Sequence, residues 1–295
     1  MGTGIQLPPR QAALQAHPKL TLELNGYHYT VERHNGASTY TVSDGSAALT
    51  LPIQYAFGSR NLTFVLEYQG RFYESLVSYY GETQALGITM GDRSIKPRNL
   101  TEAMGRQTSD QEIVECFGCH SEGAVSRGKL TLASMQPGVN CEHCHSGAEA
   151  HRQAASGGAP APLPRKLGEM AAEEMSGFCG ECHHTWETVV RQRLLGEKNV
   201  RFQPYRLALS QCFLGDDQRI RCTACHDPHV EMVRADAPYD RACLSCHAAK
   251  GAKVCPQSDR NCVSCHMPKV KVPGIPMVFH DHNIRVAHAG DPYPH

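Results

Sequence analysis

The chain predicts a two-part fold. A small antiparallel β domain comes first, followed by a region of short helices and loops with no hydrophobic core of its own. Three observations lead there. Residues 20–92 hold no cysteine and consist of short runs rich in Thr, Val, Leu, Tyr and Phe. From residue 110 onward one spacing, Cys-x-x-Cys-His, occurs six times. These motifs share so little chain, about 25 residues each between Cys116 and His266, that none can bury a separate apolar core.

In the first part, Leu20–Leu24, Tyr27–Arg33, Ser38–Ser43, Ala47–Ile53, Leu62–Tyr68 and Arg71–Ser78 read as strands. Asn25-Gly26, Asn35-Gly36, Asp44-Gly45 and Gly70 punctuate them, as hairpin turns do. Residues 1–19 read as an N-terminal arm, 20–92 as the β domain, 93–109 as a polar connector and 110–295 as the second domain. The β domain carries no chemistry, so it reads as a scaffold packing on the second domain, with partner docking as the alternative. In the second domain Ala171–Ser176 and Glu187–Gly196 read as helical. The Ala/Ser/Gly/Pro-rich stretch Ala154–Pro164 reads as a loop, and the tail from Pro268, with Pro273, Pro276, Pro292 and Pro294, as irregular.

The six motifs pair Cys116 with Cys119, Cys141 with Cys144, Cys179 with Cys182, Cys222 with Cys225, Cys243 with Cys246 and Cys262 with Cys265. Each pair is followed at once by His120, His145, His183, His226, His247 or His266. This is the attachment signature of c-type haem: two thioethers to the porphyrin and a proximal histidine for the iron. Zinc sites and reactive dithiols also use Cys-x-x-Cys, but neither requires the following histidine. Were histidine placed there at its overall frequency of 17 in 295, six hits in six would have a probability on the order of 10⁻⁷ to 10⁻⁸. The expected cofactors are therefore six haem c, and the expected second domain is an α-plus-irregular multihaem cytochrome domain, with short helices and loops around stacked haems.

With 29 basic and 29 acidic side chains the formal charge is zero, which excludes a nucleic-acid footprint. Haem propionates would add negative charge. Aromatic content of 7% fits a chain whose aromatic volume comes from a cofactor. Twelve of the 14 cysteines belong to the motifs, leaving Cys212 and Cys255, which an oxidising compartment would pair as a disulfide. Haem is attached covalently outside the bacterial inner membrane, so a periplasmic or extracellular location is expected. The N-terminus lacks the apolar region of a signal peptide. On this reading a leader has been removed before the numbering begins, or the gene start is incomplete. No apolar run reaches 18 residues, so no transmembrane anchor is expected.

The second axial position of each iron decides its behaviour: His or Met closes it for electron transfer, and an open position admits a small molecule. Eleven histidines lie outside the motifs. His151 follows the second motif closely in CHSGAEAH. His229 follows the fourth in CHDPH, where Pro228 stiffens the turn. His282, in FHDHNIRV, can return over the last motifs. These three are the leading distal candidates, with His280, His288, His184 and His17 behind them. His17 is the natural one to donate to another subunit. His28 and His34 read as surface residues of the β domain. His143, between two haem-binding cysteines, is confined to its own loop, and His295 is terminal. Met104, Met135 and Met175 are reserve ligands whose ordinary role is packing.

From Cys116 on, the chain resembles the cytochrome c-552/c-554-like multihaem family. The residues that carry the resemblance are CEHCHSGAEAH (141–151), FCGECHHTW (178–186), RCTACHDPH (221–229), CVSCHMPK (262–269) and DHNIRV (281–286), with YESLVSYYGETQALGITMG (73–91) resembling the β region of some relatives. The resemblance implies distal roles for His151, His229 and His282. Some relatives are redox enzymes acting on nitrogen or sulfur compounds, but the Cys-x-x-Cys-Lys variant of nitrite-reducing relatives does not occur here.

The reading is an exported electron carrier rather than a catalyst, with redox proteins or copies of itself as partners. Two alternatives accompany it. One is a subunit of an extracellular cytochrome filament, for which His17 on a free arm is the hint. The other is a redox enzyme with one open iron, for which Arg285 with His280 and His282 would supply the pocket.

Overall fold

The computed structural model describes residues 4–160, 163–164, 166–214, 217–248, 255, 260–288 and 291. Its contacts divide the chain into two units, Met1–Arg165 with Pro273–Met277, and Lys166–Val272 with Val278–His295.

The first unit is built on two antiparallel sheets. Strands β1 (Ile5–Gln6), β2 (Lys19–Leu24), β3 (Tyr27–His34), β4 (Ala37–Ser43), β5 (Ala48–Pro52), β6 (Tyr55–Phe57), β7 (Leu62–Tyr68), β8 (Arg71–Tyr80), β9 (Ala85–Ile88) and β10 (Gly105–Gln107) supply them. One sheet runs β2-β3-β4-β5; the other runs β1-β6-β7-β8-β10, with β9 paired to β8. The expected strands are present, and the expected Asn-Gly turns hold their hairpins. Asn25-Gly26, Asn35-Gly36 and Gln69-Gly70 all have positive φ at both residues, the tight-turn geometry whose twist matches the strands it joins.

Side chains alternate along β3 and β4, which puts Tyr29, Val31, Tyr40 and Val42 inside and His28 and Thr30 outside. The inward set meets Leu62, Phe64, Leu66 and Leu76 of the other sheet in one apolar cluster. Two tyrosines reach partners from within it: Tyr29 Oη donates to the Ala103 carbonyl at 3.0 Å and Tyr40 Oη to that of Met104 at 3.1 Å. Buried hydroxyls left unpartnered would oppose this packing.

Two stretches behave differently from their sequence reading. Residues 5–17, read as an arm, belong to the sheet. Ile5 and Gln6 pair with Phe57 and Ala56, helix α1 (Ala12–Ala16) buries Leu14 completely, and Gln11 bonds to Ile53 and Ser38. Residues 93–109, read as a connector, contain helix α2 (Leu100–Met104), capped by the Asn99 side chain on the Glu102 amide, and then β10, which pairs with β8. Buried glutamines and a two-residue strand disguise the first as exposed chain, and a five-residue helix and three-residue strand the second.

Helix α3 (Asp110–His120) opens on a reciprocal capping box, Ser109 with Glu112. It buries Phe117 edge-on against Tyr55 and Phe57, at 5.0 and 5.2 Å between ring centres, and against Phe72 at 6.1 Å. The first motif is therefore seated on the β sheet. This is why the division between the units falls after the second motif, whereas the sequence reading placed it at 109/110. Helices α4 (Cys141–Cys144) and α5 (Ala148–Ser156) complete this unit.

The second unit has short helices: α6 (Ala172–His183), α7 (Trp186–Gln192), α8 (Gln203–Leu207), α9 (Gln211–Leu214), α10 (Cys222–Cys225), α11 (Ala237–His247) and α12 (Cys262–His266). A hairpin pairs Lys269–Lys271 with Val278–His280. The helical reading at 171–176 extends to His183, and that at 187–196 ends at Gln192. Pro204 and Pro238 stand in the first turns of α8 and α11, where a missing N–H costs nothing.

Candidate functional site

All six motifs fall on helical turns: at the ends of α3, α6 and α11, and across α4, α10 and α12. One turn puts positions i, i+3 and i+4 on a common face. Each motif therefore presents two thiols and an imidazole together, and the histidine closes or follows the helix. None of the 14 cysteines is joined to another in a disulfide. This donor set fits a porphyrin attached by two thioethers with a histidine beside it. Among the described residues no three or more His, Cys, Asp or Glu side chains converge as a metal-ion site.

Neighbouring motifs in the chain are neighbours in space within each unit. In the first, the His143 amide donates to Glu122 at 2.9 Å and its Nε2 to the Gly118 carbonyl, inside the first motif, at 2.8 Å. In the second, α10 packs on α6 and α11, and α11 packs on α12. The Cys222 thiol is hydrogen-bonded to Cys179, which lowers it. Cys225 lies within electrostatic reach of Cys243 and Cys246, and Cys243 within reach of Cys262. The third to sixth motifs thus follow one another in order. Asp240 of α11 fastens the last pair, accepting from the backbone amides of Asn261 at 2.7 Å and Val263 at 3.3 Å at the start of α12.

Two motif histidines have their rings fixed by backbone carbonyls. His120 Nδ1 donates to Gly4 at 2.7 Å, with Phe57 edge-on to its ring, and His266 Nδ1 donates to Arg285 at 3.0 Å. A carbonyl can only accept, so Nδ1 carries the proton and Nε2 is left as the basic nitrogen that a metal takes. A side chain at Gly4 would collide with the backbone of His120, so this close approach requires glycine. Burial lowers both His183 and His226, which favours the neutral form that ligates. His145 follows α4 and His247 ends α11.

The leading distal candidates are distributed over the molecule. His151 lies within α5, partly buried. His229 is exposed, its Nδ1 3.1 Å from Asp227 Oδ1. His282 lies with its ring 6.1 Å from that of His226, centre to centre, and inclined by 29°. Its Nδ1 donates to the His280 carbonyl at 3.1 Å, and burial pushes its imidazole down to about 4.

The remaining histidines sort clearly. Both nitrogens of His280 face protein partners: Nδ1 donates to the Met267 carbonyl at 3.1 Å, and Nε2 lies 3.4 Å from Asp236. His184 packs edge-on to Phe202 at 4.4 Å. His17 caps α1 with its ring 5.9 Å from Tyr79, so it is part of the β unit and not on a free arm. His28 bonds to Glu23 on the outer face of β3, and His34 sits at the strand end near Glu32. His288 is exposed. His295 lies outside the described residues.

Met104 is wholly buried in the sandwich core, Met175 is buried within α6, and Met135 packs around Phe117's cluster. Cys212 and Cys255, expected as a disulfide, are not joined to each other. Cys212, half-buried, neighbours Cys225 and Cys246, while exposed Cys255 neighbours Cys262, so each sits beside a different motif.

The sequence reading missed what holds His282. Arg206 and Asp281 are both completely buried and paired side-on, Nε to Oδ1 and Nη2 to Oδ2, each at 2.9 Å. Arg285 Nη1 adds a bond to Asp281 at 2.7 Å. Ser210 Oγ donates to the His282 carbonyl at 2.7 Å and accepts from the Ile284 amide at 2.8 Å. Arg206 stands 75 residues from its partner, and no local pattern marks it.

Helical Cys-x-x-Cys-His turns of this kind resemble the haem-attachment turns of c-type cytochromes. Residues 82–146, from the end of the β sheet through the second motif, match the family model described as cytochrome c554 and c-prime. The chain thus resembles that family, and the resemblance implies covalently bound haem c and electron transfer. No curated protein and no solved structure matches the chain. No helix among the described residues is long and apolar enough to cross a membrane.

Proposed function

We propose that the chain is an exported hexahaem c-type cytochrome that carries electrons along six covalently bound haems, in the periplasm or outside the cell. The observation that carries this reading is the spatial adjacency of consecutive motifs within each unit: the first with the second, and the third through the sixth in chain order. Haem supplies one-electron redox chemistry. The protein would supply attachment points in two series, one within each unit, and would set each iron's environment through its axial ligand, burial and hydrogen bonds.

On this reading the twelve motif cysteines form the thioethers and His120, His145, His183, His226, His247 and His266 are the proximal ligands. His151, His229 and His282 would be distal ligands, with His282 serving the same iron as His226. With a metal–nitrogen bond of about 2 Å and about 1.1 Å from nitrogen to ring centre, two imidazoles across one metal have centres about 6.2 Å apart. The observed 6.1 Å agrees with that spacing. An offset ring pair would also fall in this range. What favours a shared metal is that His226 belongs to a motif and that His282 Nδ1 is already engaged, which makes Nε2 the nitrogen that would ligate.

The second unit also carries the apolar surface that bound porphyrin would cover. Val190, Leu195, Val230 and Met232 are each more than half exposed, and attached porphyrins could cover such side chains. Neither alternative has an observation in its favour. Arg285 of the enzyme reading is engaged by Asp281 and the Asn283 carbonyl, and His17 of the filament reading is packed beside Tyr79.

The test is a haem count. Pyridine haemochrome absorbance against protein mass is expected to give six haems per exported chain, one for each motif. A count of five or fewer contradicts the reading.

A further inference from the structure

We propose that Arg206 and Asp281 are positioning residues for the axial ligand His282, and that through it they set the coordination of the iron at the fourth motif. This rests on the reading of His226 and His282 as ligands of one haem.

Burying such a pair is costly. Removing a guanidinium and a carboxylate from water carries a penalty that their attraction offsets only with excellent geometry, and apolar residues of similar volume often do as well or better for stability. Here both groups are completely shielded, and Arg206 is the largest fully buried side chain among the described residues. A pair of this kind is weak evidence for stability and is better understood by what it holds in place.

What it holds is the backbone around His282. Asp281 receives Arg206 through two bonds, Arg285 through a third, and the Asn283 amide at 3.0 Å through a fourth. All its acceptor directions are satisfied, and the carboxylate is fixed relative to α8. Three residues beyond α8, Ser210 clasps the segment from the other side, taking the Ile284 amide and giving its hydroxyl to the His282 carbonyl. His282 therefore sits between two anchors that both come from residues 206–210. The segment then continues onto the sixth motif, where the Arg285 amide donates to His266 at 3.1 Å and the Ala287 amide to Cys265 at 3.2 Å. One buried ion pair thus ties the presentation of His282 to the third motif's helix, since α8 packs on α6.

The test uses the haem-loaded protein in four forms: wild type, Arg206→Lys, Arg206→Met, and Arg206→Met with Asp281→Leu. The last removes both charges together, so that an unpaired buried carboxylate does not simply unfold the chain. Each form is measured for haem count, for low-temperature EPR, and for hydrogen exchange at residues 281–285. In Arg206→Met and in the double variant we expect a full haem count, a new high-spin signal from a single haem, faster exchange at 281–285, and return of the low-spin signal on adding imidazole. Arg206→Lys keeps the charge but not the paired geometry, and should fall between these and wild type. A full haem count with an EPR spectrum unchanged in the double variant overturns the inference while leaving the cytochrome reading intact. A wild-type count below six overturns the reading beneath it instead.

Discussion

Replacing His282 by alanine is expected to convert one low-spin haem to high-spin, and replacing His280 is expected to convert none. The two residues lie two positions apart in the same tail and look alike in sequence. Their surroundings separate them. His280 has Nδ1 on the Met267 carbonyl and Nε2 toward Asp236, so neither nitrogen is turned to a ligand site. His282 has Nδ1 engaged, and its ring stands 6.1 Å from that of the motif histidine His226. Loss of a strong axial nitrogen weakens the ligand field and leaves a five-coordinate iron or one with weakly bound water. The change is read by EPR and by the visible spectrum. Added imidazole should reverse it in His282→Ala. Should His280→Ala produce the high-spin haem and His282→Ala leave the spectrum unaltered, the ligand assignment would be reversed.

The second large effect concerns stability. A chain made without haem attachment is expected to keep the β sandwich folded and to lose the second unit. The sandwich has a core that owes nothing to a cofactor: Tyr29, Tyr40, Leu62, Phe64, Leu66, Leu76 and Met104 are all essentially inaccessible. Each such side chain contributes about 1.5–3 kcal/mol on burial. In the second unit the described buried apolar residues are few, among them Met175, Val189, Val200, Phe202, Tyr205 and Val263. Among the described residues, Val189, Phe202 and Tyr205 gather in a cluster far smaller than that of the sandwich. Its helices α8, α9, α10 and α12 are four or five residues long, too short to persist without tertiary support. Limited proteolysis followed by mass spectrometry is expected to leave a resistant fragment containing residues 5–107 and to degrade the chain beyond residue 166. Equal resistance of both units would show that the second unit has a sufficient core of its own.

How much of this could be read from the sequence depended on whether the signal was local. The Cys-x-x-Cys-His turns are local chemistry at fixed spacing, and Asn-Gly turns between β-branched runs are local conformation, so both were legible. The packing of residues 5–17 was not, because a two-residue strand has no period and the buried polar residues Gln6 and Gln11 imitate an exposed arm. The Ser109–Glu112 capping box was legible in principle, but it says where α3 starts and not what Phe117 packs against. Ranking His282 among the distal candidates needed only its place in the tail. The sequence already set it ahead of His280, and their hydrogen-bond partners supply the physical reason; finding Arg206 needed a contact across 75 residues.

The central claim is that the six motifs hold haems that pass electrons and bind no substrate, which would require a protein ligand on the second face of each iron. Low-temperature EPR of the fully oxidised protein, quantified against its haem count, tests this most directly. The predicted result is low-spin signals that integrate to every haem present and no high-spin signal near g = ~6. A persistent high-spin signal amounting to one haem per chain would contradict it, and would make that iron a place where a small molecule binds.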